Sequence, residues 1–128
     1  MKSRHDLVKG HLRKAESDLA NLDLCISSGI ALDTACFHAQ QAAERILKAY
    51  LIEISVSVPK THNLMHLLTL AQERDTDFEQ LADDAALLTP FAVQMRYDQD
   101  FWPSLDDTVE ARKSTITIKQ FCENKLNP

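Results

Sequence analysis

Glycine and proline are scarce in this chain, at two and four of 128 residues. So few turn formers argue against a β-rich fold and for helices. The three cysteines, an odd number with no close pairing, exclude a disulfide framework and fit reduced thiols in a cell interior. Cys36 and Cys122 sit among apolar neighbours and read as small core residues. No apolar run approaches the about 20 residues that a membrane-spanning helix needs. The charged start Met1-Lys2-Ser3-Arg4-His5-Asp6 precedes no signal-peptide core. A cytoplasmic location is expected. There is no glycine-rich phosphate loop and no serine on a strained strand-to-helix turn. Of five histidines, only His62 and His66 have helical ligand spacing, and they lack the metalloprotease glutamate and any third ligand. No metal and no cofactor are expected. A net charge of −5 argues against a broad grip on nucleic acid, while leaving room for a local basic cleft.

What is present is helical periodicity. Val8, Leu12, Ala15, Leu19, Leu22 and Ile26 alternate by four and three, and Ser28-Gly29 closes that first helix. A second helix runs from about Leu32 to Ile54, with alanines at 35, 39, 42 and 43 on one side. Such a small-residue spine lets a neighbouring backbone approach closely, within a bundle or at a subunit contact. The other side carries Thr34, His38, Gln41, Arg45 and Lys48, which either faces water or lines a site. Thr61 resembles the N-cap of a short third helix with Leu64, Leu67, Leu68 and Ala71 inward. A fourth helix places Phe78, Leu81, Ala85, Leu88, Ala92 and Met95 on one stripe, with a kink expected at Pro90. Ser104 and Asp107 form a capping-box pattern before a last helix with Ala111, Thr115, Ile118 and Cys122 inward. The expectation is one domain over residues 1–128, an all-α, antiparallel up-and-down bundle of four or five helices.

Two places could carry chemistry: the polar stripe of the second helix, and Arg96-Tyr97-Asp98-Gln99-Asp100-Phe101-Trp102-Pro103. Arg96 there either complements a helix C-terminus or contacts a ligand. Trp102 and Phe101 either plug the bundle end or offer a stacking surface. Glu44 and Lys48, four apart, form a helix pair of the kind that usually marks a solvated face. His62 reads first as a helix-start residue.

Taken together, these pieces resemble the HEPN domain family of small helical proteins. The resemblance rests on Phe37-His38-Ala39-Gln40-Gln41-Ala42-Ala43-Glu44 with Lys48-Ala49-Tyr50-Leu51, then Pro59-Lys60-Thr61-His62-Asn63-Leu64 with Leu67-Leu68, then Arg96-Tyr97 ahead of an acidic-aromatic loop. It spans roughly Asp6 to Phe121. It implies a helical bundle, commonly a two-fold dimer, often paired with a small nucleotidyltransferase. Some members are ribonuclease toxins; others are regarded as nucleotide-binding or interaction modules. The ribonuclease members carry an arginine, four to six residues, then a histidine. Counted from Arg96, that window holds Phe101, Trp102 and Pro103, and no histidine follows Arg96 anywhere. The missing general acid/base is typically worth roughly 10²–10⁴-fold in rate. Asp98 also stands where relatives often have proline. No catalytic residue is therefore assigned. The expected function is a binding module that pairs with a nucleotidyltransferase or takes a nucleotide or other anion. Arg96 and Lys48 would contact anions, Tyr97 or Trp102 would stack, and Glu44, His62 and Asp98 would complete the site. The alternative is a ribonuclease toxin acting on RNA with His62 or His38 in the missing role.

Overall fold

The computed structural model describes residues 1–127. Helix α1 spans Arg4–Ser28, α2 Leu32–Glu53, α3 Leu64–Gln72, α4 Ala82–Leu88, α5 Phe91–Tyr97 and α6 Leu105–Leu126. A 3-10 helix at Thr76–Leu81 leads into α4. The ends of α1 and α6 follow from local chemistry. Ser3 and Asp6 form a capping box at the start of α1, as Ser104 and Asp107 do for α6. Gly29 ends α1 in the left-handed region at φ 71°, where its N–H reaches the Cys25 carbonyl.

Three long helices set the frame. Arg4 bonds Ser55 and Asp18 meets His38, so α1 and α2 are antiparallel. Arg112 pairs with Asp23 and Lys119 with Glu16, so α6 also runs against α1. Thr108 meets Cys36 and Thr115 meets Ala39, so α6 runs parallel to α2. Residues 54–104 must therefore carry the chain back along the bundle. They do so in short pieces, because Pro90 has no N–H for the Ala86 carbonyl and the helix restarts at Phe91. The expected kink is thus a full break between α4 and α5.

Helix α2 is the central element, buried along most of its length from Ala35 to Leu51. Ala35, Ala39, Ala42 and Ala43 are wholly buried within this single chain. The spine's close approach is to α6, where the Thr115 hydroxyl donates to the Ala39 carbonyl at 2.9 Å. Those alanines consequently give no argument for a subunit contact. The expected inward residues of α6, Ala111, Thr115, Ile118 and Cys122, are all buried. Thr108 Oγ1 donates to the Ser104 carbonyl, which leaves the Cys36 thiol as donor in the 3.6 Å contact between them. Burial pushes the Cys36 thiol up, and the Cys122 thiol up to about 12. Both behave as core residues.

The cap of α3 is Asn63, whose side chain accepts from the Met65 amide; Thr61 instead accepts from the Asn63 amide just before it. Asn63→Ala is expected to lower stability by about 1 kcal/mol. Thr61→Ala should lower it by less, as compared by urea unfolding; the reverse order would restore Thr61 as the cap.

Candidate binding site

On α2, residues 37, 40, 41, 44 and 48 share a face at spacings of three and four. Gln40, Gln41 and Glu44 on that face are buried, Glu44 to 5% exposure. Glu44 is the centre of a polar cluster. His62 Nδ1 donates to its Oε1 at 2.8 Å and Lys48 Nζ to its Oε2 at 3.0 Å. Gln40 Nε2 also reaches Oε1, at 3.3 Å, and donates to the His62 carbonyl at 2.8 Å. Gln41 Nε2 in turn donates to Gln40 Oε1 at 2.7 Å. The segment before α3 is thereby tied to the middle of α2. The expected solvated Glu44–Lys48 pair is instead a part-buried one, with the lysine side chain only 14% exposed. Helical spacing alone does not reveal this, because the burying segment arrives from elsewhere in the chain.

Burial works to raise the Glu44 pKa. The hydrogen bonds from His62, Lys48 and Gln40 and the Lys48 charge outweigh it, and hold the carboxyl below its ordinary value. Glu44 is thus a fixed anion that holds His62 in place while the imidazole remains 55% exposed. A histidine so oriented can donate a hydrogen bond or relay a proton.

Arg96 is exposed in the last turn of α5, with its guanidinium carbon 5.1 Å from the centroid of the Phe37 ring. Phe37 and Glu44 lie seven residues apart on one face, about 10 Å along the helix at 1.5 Å per residue. Arg96 and the Glu44 cluster therefore occupy the same side of α2, about two turns apart. Tyr97 is 75% exposed. Asp98 ends α5 and accepts from the Asp100 amide.

Trp102 does not plug the bundle end; it is 76% exposed. Phe101 is half-buried against Phe91, with ring centroids 5.7 Å apart. Trp102 lines an open cleft of about 560 Å³ together with Leu87, Phe91, Phe101, Asp98, Asp100 and Glu110. The structure therefore divides the expected residues. Glu44, Lys48 and His62 form one cluster, Arg96 stands on Phe37 nearby, and Asp98 and Trp102 border a separate acidic cleft.

Sequence reasoning does not single out Gln40, His11 or Asp18 as site residues, and it offers Gln41 only as part of the polar stripe of α2. Asp18 accepts from His38 Nδ1 at 2.8 Å and lies 3.3 Å from Arg45. The one sequence signal for these is the polar stripe of α2, whose partners on α1 are distant in the chain. Among the described residues no three metal-ligating side chains come together. No helix among them is long and apolar enough to cross a membrane.

The HEPN domain family profile matches residues 8–125, so the chain belongs to the HEPN domain family. It is 26% identical to TT1696 from Thermus thermophilus, whose crystal structure superposes with a TM-score of 0.77 over 92% of this chain and 97% of that one. The crystal structure of ST0689, an archaeal HEPN homologue, matches at 22% identity with a TM-score of 0.72, covering 99% of this chain and 100% of that one. No curated protein matches the chain.

Proposed function

We propose that this HEPN domain is an interaction module and not a ribonuclease. It acts as a homodimer, in the cytoplasm, that pairs with a small nucleotidyltransferase or takes a nucleotide through the face around Arg96. The observation that carries this reading is the pairing of an exposed Arg96 with a fixed Glu44–His62–Lys48 cluster on one side of α2, in a chain with no histidine after Arg96. Arg96 supplies a planar charged donor for a phosphate or carboxylate. Lys48, held by Glu44, adds a second cation, and Tyr97, next to Arg96, offers a ring for stacking. Exposed apolar side chains on both sides of the Arg96 loop, Val93, Tyr97, Trp102, Leu105 and Val109, support an interface there.

Light scattering at micromolar concentration is expected to give about twice the 14.5 kDa chain mass. Trp102→Asp should shift the protein to monomer with little change in Tm, since an exposed substitution usually moves stability by no more than about 0.5 kcal/mol. A wild-type monomer under these conditions would remove the dimer from the proposal. The second reading, an RNA-cleaving toxin, is favoured by one observation. His62 is exposed and oriented by a carboxylate, the arrangement that a general acid/base uses.

A further inference from the structure

We propose that the groove between α1 and α2 around Gly10 is a binding site for a small phosphate-bearing ligand, held by Lys2, His11, Lys14 and Arg45. Arg96 does not line this groove, although Glu44 and Lys48 of the first site lie near enough to His11 to act on it electrostatically. The open groove has a volume of about 240 Å³, and its lining brings Lys2, Lys14 and Arg45 together with Asp6, while Asp18 stands 3.3 Å from Arg45 behind it. Asp6 is itself engaged at the cap of α1, where it accepts from the Ser3 amide. In a chain of net charge −5, this is a local concentration of positive charge.

Two further observations point to a ligand. The first is unused hydrogen-bonding capacity. His11 Nδ1 is buried and has no hydrogen-bond partner among the described residues, and neither has Arg45 Nε. Arg45 does lie 3.3 Å from Asp18 Oδ2, but that oxygen is also without a hydrogen bond, so the pair is close yet poorly directed. Buried polar groups in folded proteins are nearly always satisfied. An anion entering the groove would bring acceptor oxygens to the side of Arg45 away from Asp18 and to His11.

The second is Gly10. It sits inside α1, where glycine is a poor helix former compared with alanine. A Cβ at this position would meet no atom within 4 Å, so packing does not require its absence. Gly10 and Lys14 line both this groove and an adjoining hollow of about 390 Å³ that adds Arg13. The missing side chain keeps a continuous open floor between them. A multiply charged anion such as a diphosphate could then extend from the His11–Arg45 floor towards Lys14 and Arg13.

The test is titration of the isotope-labelled full chain with inorganic phosphate and pyrophosphate at constant ionic strength, followed by NMR. Saturable shifts are expected at the Gly10 amide and the His11 ring, with pyrophosphate the tighter ligand because it reaches more cations. Arg45→Gln should weaken binding roughly ten-fold, the scale of one lost charge-assisted hydrogen bond. Gly10→Glu places a carboxylate on the floor and should abolish binding while keeping the helical spectrum, as glutamate favours helix over glycine. Lys113→Gln, an exposed change on α6, should leave affinity unchanged and so exclude a general charge effect. Shifts that fail to saturate, or wild-type affinity in Arg45→Gln or Gly10→Glu, would overturn the proposal. Tighter binding of a 5′-hydroxyl oligoribonucleotide than of pyrophosphate would overturn the assignment to a small ligand.

Discussion

Glu44→Ala is expected to lower the unfolding free energy by about 3 kcal/mol, the scale seen when one partner of a buried ion pair is removed. Lys48, with a side chain only 14% exposed, would lose the carboxylate it pairs with. His62 Nδ1 and Gln40 Nε2 would lose an acceptor at the same time. Glu44→Gln keeps the shape and an acceptor oxygen, and should lose roughly half as much. The effect carries a pH signature. The folded-state pKa of Glu44 lies below its ordinary value of 4.5, so its carboxylate contributes fully above that value. Below it the unfolded chain binds the proton first, and the contribution fades as pH falls through the folded-state pKa. The gap between wild type and Glu44→Gln should therefore be widest near neutral pH and narrow steadily below pH 4.5. Urea unfolding across that range measures it; a gap that does not change with pH would mean Glu44 is not held as an anion.

Ala39→Trp should be comparably damaging, and for a different reason. Ala39 is wholly enclosed, and its carbonyl receives the Thr115 hydroxyl of α6. An indole there must push α6 away from α2, and over-packing of this kind costs about 1–3 kcal/mol, with this site at the upper end. For a domain of this length about 3 kcal/mol corresponds to roughly 10 °C in Tm. Thermal melting is the check. A variant that melts like wild type but assembles less well would instead place Ala39 on the surface.

The contrast between these two positions shows what a sequence can convey here. The alanine spine is legible as a close-packed face because small side chains repeated at helical spacing leave room for a neighbouring backbone. Whether it packs inside the chain or against a second one is not legible, since both partners present a helix backbone. The stripe of α1, Gly29, and the capping box of Ser104 and Asp107 follow from local rules, and the structure has each in place. Pro90 is legible as an interruption, although its extent is not: whether a helix kinks or stops depends on what the following segment packs against. Thr61 and Asn63 are both good caps by residue type. The tie of His62 to Glu44 and Gln40 fixes the approach to α3, and its His62–Glu44 arm spans eighteen residues of sequence.

The same limit hides the character of Glu44. An i, i+4 Glu–Lys pair on an isolated helix is solvated, and nothing within α2 announces that a later loop covers it. Trp102 fails in the opposite direction: a lone tryptophan beside a phenylalanine suggests a plug, yet Phe101 takes the sheltered position against Phe91. His11 and Asp18 show the problem most clearly, because each looks ordinary in α1 and only the antiparallel pairing of α1 with α2 brings them to Arg45 of the polar stripe.

The function we propose for this HEPN domain is binding without cleavage. Metal-independent RNA cleavage requires a group that accepts and returns a proton near neutral pH, and the window after Arg96 offers only Phe101, Trp102 and Pro103. His62 is the one exposed histidine of the Glu44 cluster on the same side of α2 as Arg96. The direct measurement is incubation of the purified chain with unstructured RNA, beside Arg96→Ala and His62→Ala prepared identically. The expected result is no cleavage by any of the three above a blank preparation. Robust cleavage by wild type that disappears in both variants would contradict the account, and would make His62, oriented by Glu44, the catalytic histidine.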